Sequence, residues 1–186
     1  MGKRKKIAFS NAHSSIEDVE EYYIDSEQSL NSFYDFSSSS TQISSKFVGY
    51  SKAEFDNELK ARKETLDRMC SLEVLSAIEA RLKIDYIVRG QNKLRDEFSK
   101  KIREIFDKKE NRASLVDDIL KAWKIEFPEH KTRLDHFGQA LDYRNWLAHG
   151  RYWQAKRTPH IYRFDYFSIY SLASDILTNM ELVEST

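Results

Sequence analysis

The stretch from Ser51 to Arg89, SKAEFDNELKARKETLDRMCSLEVLSAIEARLKIDYIVR, decides the fold of this chain. It contains neither glycine nor proline, the two residues that most disfavour a helix interior. Ser51 with Glu54 three residues later is a capping-box pattern, which is typical of a helix start. Apolar residues at helical spacing follow on more than one side of the predicted helix: Leu59, Leu66, Met69, Leu72, Val74, Leu75, Ile78, Leu82 and Tyr86. The pattern predicts one long helix at the centre of a bundle, ending at Gly90.

The chain after Gly90 predicts four more helices, at about residues 94–108, 115–127, 132–149 and 165–184. Pro128 separates two of these segments and Gly150 ends the third, while Gly138 disfavours helix in the first turns of that segment. The whole chain has only 5 glycines and 2 prolines, too few for turn-dense β architectures. We therefore predict an all-α protein, an up-and-down helical bundle with short loops.

Composition divides the chain into residues 1–50 and residues 51–186. Residues 7–45 contain no lysine or arginine but seven acidic residues, and serine is dense over residues 26–45. Such a polar, Ser-rich and acidic segment predicts a weakly ordered N-terminal arm. Apolar residues at roughly helical spacing over residues 16–36 allow a second interpretation, an acidic amphipathic helix that docks on the bundle or covers a basic site.

Charge and cysteine content exclude several classes of protein. Lysine and arginine number 30 and aspartate and glutamate also 30, so a uniformly basic nucleic-acid-binding coat is excluded. The single cysteine, Cys70, excludes an intrachain disulfide and a cysteine-based zinc cluster. His130 and His136 form no recognised ligand pattern, so we expect neither a metal nor another cofactor. Because no segment has the apolar length of a signal peptide or a membrane helix, we expect a soluble, cytoplasmic protein.

A cluster of polar and aromatic residues lies at the end of the predicted helix over residues 132–149, in the sequence LDYRNWLAHGRYW that begins at Leu141. Arg144 lies within an apolar face defined by Leu134, Phe137, Leu141 and Ala148, where a charged side chain needs a partner or a groove. Asn145 and His149 are four residues apart and therefore lie on one side of the helix. Arginine offers planar donors that match a phosphate, and histidine transfers protons near neutral pH.

The segment from Arg144 to Arg163 contains no acidic residue, and its basic residues alternate with aromatic ones. This combination suits single-stranded nucleic acid, with contacts to the backbone and stacking of bases. The candidate RNA-binding residues are Arg151, Tyr152, Trp153, Lys156 and Arg157. The alternative interpretation is structural: Arg144 forms an ion pair with Glu79 or Asp85, and the aromatic residues only pack. Glu79 could instead pair with Lys83 on the surface of its own helix.

The sequence Arg144-Asn145-Trp146-Leu147-Ala148-His149 resembles the signature of the HEPN superfamily: an arginine, a polar residue that is often asparagine, and a histidine after four to six intervening residues. The resemblance covers about residues 51–186. It implies a HEPN-like helical bundle and a metal-independent endoribonuclease that acts as a homodimer, with the motifs of two subunits lining one cleft. Such proteins serve in toxin–antitoxin systems and in phage defence.

The resemblance also implies residue roles. His149 would be the general acid or base, Arg144 would bind the scissile phosphate, and Asn145 would orient the phosphate or His149. Apart from the resemblance, the place of Glu79 and Asp85 beside the apolar stripe of the central helix makes each a candidate to hold Arg144 in position. Cleavage by the neighbouring 2′-OH would leave a cyclic phosphate and a 5′-OH end.

The family also implies an alternative, a non-catalytic module that binds nucleotides or accompanies a nucleotidyltransferase. In one HEPN toxin group, a nucleotidyltransferase modifies a tyrosine two residues after the histidine. Here that position is Arg151 and the tyrosine is Tyr152, so the sequence departs from that group. The expected partners are RNA, a second copy of the chain, and an antitoxin or nucleotidyltransferase.

Overall fold

A computed structural model describes residues 6–10, 12–35, 45–154 and 158–184. Within these ranges the chain forms six α-helices and no β-strand. The helices are α1 (Ile16–Phe33), α2 (Lys52–Gln91), α3 (Glu97–Lys109), α4 (Lys121–Glu126), α5 (Lys131–Ala148) and α6 (Tyr166–Asn179). A π-helical segment, Leu115–Leu120, runs into α4, and short 3₁₀ turns include Pro128–His130 and Pro159–Arg163. The prediction of an all-α helical bundle is confirmed for this part of the chain.

The 40 residues of α2 form the axis of the bundle. The predicted capping box is present, since the Ser51 hydroxyl accepts the Glu54 N–H and the Glu54 carboxylate accepts the Ser51 N–H. Val74, Ile78 and Leu82 are completely buried on α2, which packs against α1, α3, α5 and α6. The predicted central helix is therefore confirmed, and it holds the other long helices in place.

We had predicted from the sequence that the central helix ends at Gly90, and this prediction is wrong. Helix α2 continues through Gly90 to Gln91, and Asn92 is the residue that caps it. A Cβ atom at Gly90 would lie 2.7 Å from the Cβ of Phe106 on α3, closer than two carbon atoms can approach. The absence of a side chain therefore lets α3 cross α2 closely. Gly138 lies inside α5, where an added Cβ would meet nothing within 4 Å.

The two helical glycines predict opposite effects of the same substitution. Gly90→Ala should lower the free energy of unfolding by about 1–3 kcal/mol, because the added methyl group must displace Phe106. Gly138→Ala is the matched control and should raise it by about 0.5–1 kcal/mol, because alanine loses less backbone entropy in a helix. Chemical denaturation of both variants measures the difference, and equal effects would contradict the close crossing.

A buried ion pair joins the end of α2 to α3 and to the chain that follows α6. Asp85 is completely buried, and its Oδ1 accepts Arg89 Nε at 2.7 Å and the Val183 N–H at 2.8 Å. Arg89 also donates to the Ser99 hydroxyl at 3.0 Å and to the Glu181 carbonyl at 2.8 Å. Burial raises the pKa of the Asp85 carboxyl because it disfavours the charged form, while the bonds from Val183 and Arg89 oppose that rise.

Removal of one member of this pair should be costly. Asp85→Ala leaves the Arg89 guanidinium, itself only 7% exposed, without its closest carboxylate. We expect the free energy of unfolding to fall by about 3 kcal/mol or more, since a buried charge loses its partner. The control is Glu64→Ala, which removes the exposed pair with Arg68 and should change stability by less than about 0.5 kcal/mol. A similar small loss for Asp85→Ala, measured by urea unfolding, would contradict the assignment.

Residues 16–33 of the N-terminal arm form α1 rather than a solvated tail. Ile16, Val19 and Tyr23 are buried and belong to the same hydrophobic core as α2 and α6. The ring of Tyr23 stacks on Tyr166 of α6 with a centroid distance of 3.8 Å. The docked amphipathic helix is therefore the interpretation that the fold supports, although it ends at Phe33. Tyr34 caps the helix and Asp35 is not helical, while Phe36 and the serine run at residues 37–40 lie outside the described residues.

The acidic side chains of α1 contact the bundle at α2 and α6. The Tyr170 hydroxyl donates to Glu20 at 2.6 Å, and Lys63 of α2 pairs with Glu27 at 3.2 Å. These two carboxylates therefore pair with side chains of α6 and α2. In the described part of the chain, no helix combines the length and the hydropathy that crossing a membrane requires.

Candidate functional site

Helix α5 carries the three motif residues over its last two turns. Leu134, Phe137 and Tyr143 are buried and fix the helix against the rest of the bundle. Ala148, which we had placed on the same apolar face, is exposed, because the chain returning from Gly150 covers a different side of the last turn. Arg144 therefore lies at the margin of the buried face and not within it.

Arg144 is held from two sides and stays partly open to solvent. Its Nη2 lies 3.0 Å from Oε2 of Glu79 on α2, and its Nη1 donates to Oδ1 of Asn145 at 3.1 Å. The second oxygen of Glu79 pairs with Lys83 at 2.8 Å, so both partners considered for this carboxylate are present together. The Arg144 side chain is 32% exposed, and its buried Nε has no hydrogen-bond partner among the described residues. Because Nε is sealed from solvent, only the solvent-facing part of the guanidinium can meet an anion.

Asp85, the other carboxylate predicted to support Arg144, lies at a different part of the bundle. Its partner is Arg89, at the junction of α2 and α3. Glu79 and Asp85 are six residues apart, so they point about 120° away from each other around α2. The prediction that Asp85 supports Arg144 is therefore wrong.

His149 is the residue that caps the C-terminal end of α5, and its side chain is exposed. Gly150 has a φ of +79° and donates its N–H to the Leu147 carbonyl at 3.1 Å. The Arg151 N–H donates to the Trp146 carbonyl at 3.0 Å. This pair of bonds is typical of a helix that ends in a left-handed glycine. The predicted end of the helix at Gly150 is confirmed, and this end presents His149 at the surface.

The chain turns back along α5 directly after the histidine. Arg151 has a φ of +59°, a left-handed conformation that is uncommon for a residue with a side chain. The Trp146 indole then donates to the Trp153 carbonyl at 3.1 Å, and the rings of Trp153 and His149 lie 6.2 Å apart between centroids. Tyr152 is 84% exposed. An imidazole with aromatic neighbours therefore lies at the open end of the helix.

The structure brings only part of the predicted RNA-binding set to His149. Arg151, Tyr152 and Trp153 follow it directly in the turn, whereas Lys156 and Arg157 lie outside the described residues. Arg144 and His149 are five residues apart, about 140° around α5. Within one chain, Arg144 faces α2 and His149 faces the returning loop.

Sequence reasoning missed a second histidine at this helix. His160, in the 3₁₀ turn Pro159–Arg163, places its Nε2 at 3.0 Å from Oδ2 of Asp142 on α5. Asp142 lies seven residues before His149, a spacing that sets both on the same side of a helix. That spacing could have identified Asp142. Nothing local could have identified His160, because the contact spans 18 residues and a reversal of the chain.

The described residues contain no group of histidine, cysteine, aspartate or glutamate side chains that could hold a metal ion. Comparisons of the chain with family models, with curated proteins and with solved structures gave no match in any of the three.

The openness of the Arg144–Glu79 pair predicts a small contribution to stability. Glu79→Gln should lower the free energy of unfolding by less than about 1 kcal/mol, because both charges still reach water. The same urea titration of Asp85→Ala, which breaks the buried Asp85–Arg89 pair on the same helix, gives the stability loss for comparison. A loss at Glu79 as large as that at Asp85 would show that Arg144 serves the fold and not a site.

Proposed function

We propose that this chain is a metal-independent endoribonuclease of the HEPN type, acting as a homodimer. The observation that carries the proposal is the end of α5. There, a partly open Arg144 bonded to Asn145 and an exposed His149 lie within two turns of one helix. A purely structural role would favour a sealed arginine and a histidine closed off from solvent. Neither side chain is in that state.

The three side chains suit cleavage by the neighbouring 2′-hydroxyl. Arg144 offers planar donors to the non-bridging oxygens of the scissile phosphate and stabilises the negative charge that grows in the transition state. His149 moves a proton to or from the reacting oxygens, a task suited to imidazole near neutral pH. The resemblance implied that Asn145 orients the phosphate or His149. Its side-chain oxygen accepts a hydrogen bond from Arg144, so in this proposal it orients Arg144 and, through it, the phosphate. The products are a 2′,3′-cyclic phosphate and a 5′-OH end.

In a dimer, Arg144 and His149 from different copies of the chain can lie at one site, which the two residues of a single copy do not. Arg144 and His149 diverge by about 140° around α5, so one helix presents them to different directions. A second α5 packed beside the first would place the arginine of one subunit near the histidine of the other. The homodimer is thus part of the proposed function.

The substrate that suits this surface is unpaired RNA. Tyr152 is exposed and meets the ring of Trp153 edge-on at 4.9 Å, which leaves an aromatic face for a base. Arg151 lies beside them, in a segment without acidic residues. Toxin or phage-defence activity, with an antitoxin or a nucleotidyltransferase as partner, belongs to the same proposal.

One contact favours a second candidate, a non-catalytic module that binds nucleotides or a partner. The Arg144 guanidinium already pairs with Glu79, and a phosphate must compete with that carboxylate or share the guanidinium with it. A binding module would keep RNA intact in every variant. The assay below therefore measures cleavage and binding separately.

Cleavage of a pool of structured RNA with unpaired loops, in the presence of EDTA, tests the proposal. The wild-type chain should cut and leave 5′-OH ends. His149→Ala should bind the RNA but cut it at least about 100-fold more slowly, because a proton-transfer group is lost. His136→Ala changes an exposed histidine on the same helix, three turns away from the end, and should cut like the wild type.

Two results would contradict the ribonuclease. One is RNA that stays intact with a folded wild-type protein. The other is cleavage by His149→Ala at the rate of His136→Ala.

A further inference from the structure

The contact between His160 and Asp142 lies on the same side of α5 as His149. Seven residues separate Asp142 from His149, which sets them about 10 Å apart along the helix axis and about 20° apart around it. His160 reaches Asp142 from the 3₁₀ turn, with Nε2 and Oδ2 at 3.0 Å. Two imidazoles, one of them paired with a carboxylate, thus flank the last two turns of this helix side.

Aromatic side chains line the surface of α5 between Asp142 and His149. Trp146, one turn after Asp142 and one turn before His149, meets Tyr162 edge-on with a centroid distance of 5.9 Å. Trp146 also holds Trp153 beside His149 through the indole N–H. A nucleotide lying along this surface would stack its base on one of these aromatic rings.

The His160–Asp142 pair is not required to hold the 3₁₀ turn Pro159–Arg163 in place. Ile161, the neighbour of His160, is 1% exposed and belongs to the hydrophobic core, so it already anchors the turn. The side chains of His160 and Asp142 are 25% and 46% exposed. A pair this open contributes little to stability, and any hydrogen-bond donor could serve as a simple anchor.

We infer that His160 is a second proton-transfer residue of the site, with Asp142 as its positioning residue. The inference rests on the proposed ribonuclease function and deepens it. The carboxylate fixes which ring nitrogen carries the proton and holds the ring in place, as an aspartate does for a catalytic histidine.

The two histidines then divide the proton transfers of one cleavage. His149 removes the proton of the 2′-OH as that oxygen forms its bond to phosphorus. The bond from phosphorus to the 5′-oxygen breaks, and His160 donates its proton to the leaving oxygen. Exchange with water afterwards restores the protonation state of both rings.

His160→Gln separates proton transfer from anchoring. A glutamine amide can still donate a hydrogen bond to Asp142, but it cannot transfer a proton. With ordinary RNA, the full-length variant should cleave at least about 100-fold more slowly than the wild type while its unfolding transition stays the same. With a substrate whose 5′-bridging oxygen is replaced by sulfur, the leaving thiolate needs no proton. His160→Gln should then recover to within about tenfold of the wild type, whereas His149→Ala should stay slow.

Each result decides between the two proposals. Wild-type rates for His160→Gln on ordinary RNA would overturn the role of His160 and leave the ribonuclease standing. An equal loss on both substrates would also overturn it, since His160 would then act in binding or folding. A wild-type protein that leaves RNA intact would overturn the ribonuclease, and the role of His160 would fall with it.

Discussion

Helix α2 must stay continuous over 40 residues, because α1, α3, α5 and α6 all pack against it. A break in α2 would separate the surface that receives α1 from the surface that receives α3. The absence of a side chain at Gly90 serves the same helix near its far end, where Phe106 of α3 occupies the space that a Cβ would fill. Glycine at position 90 therefore makes room for the Phe106 side chain, at a cost in backbone entropy.

The same helix carries two arginine–carboxylate pairs of opposite character. The Asp85–Arg89 pair is sealed, with side-chain exposures of 0% and 8%, and it joins three segments of the chain. The Glu79–Arg144 pair is open, with exposures of 16% and 32%, and it joins α2 to α5 at the edge of the bundle. In the first, the two buried charges pair with each other inside the protein. In the second, the guanidinium keeps access to water, which is the condition for binding an anion.

Local rules in the sequence were enough for the helices and their ends. Ser51 and Glu54 predicted the start of α2, and Gly150 predicted the end of α5, because caps depend on neighbouring residues. The failures involve tertiary contacts. Gly90 has the local signature of a helix end, and only the approach of Phe106 shows why a glycine lies there.

In the candidate site, too, local features were predictable from the sequence and tertiary contacts were not. Helical spacing was enough to place Arg144, Asn145 and His149 on the last two turns of one helix, and Glu79 was one of two carboxylates that spacing allowed as a partner of Arg144. Asp85 was the other, and sequence alone could not separate them. Which carboxylate faces α5 depends on the rotation of α2 in the bundle. The contact of His160 with Asp142 depends on the path of the chain after Gly150, which residue patterns do not encode.

One backbone feature, the reversal of the chain at the end of α5, determines where both candidate catalytic histidines lie. The left-handed residues Gly150 and Arg151 stop the helix, and this stop leaves His149 exposed on its last turn. The same reversal returns the chain along α5, where Trp146 binds the Trp153 carbonyl and Asp142 meets His160. A helix that continued past Gly150 would carry the following residues away from Asp142. The termination signal therefore places both histidines on one side of the helix, which the proposed division of proton transfer between them requires.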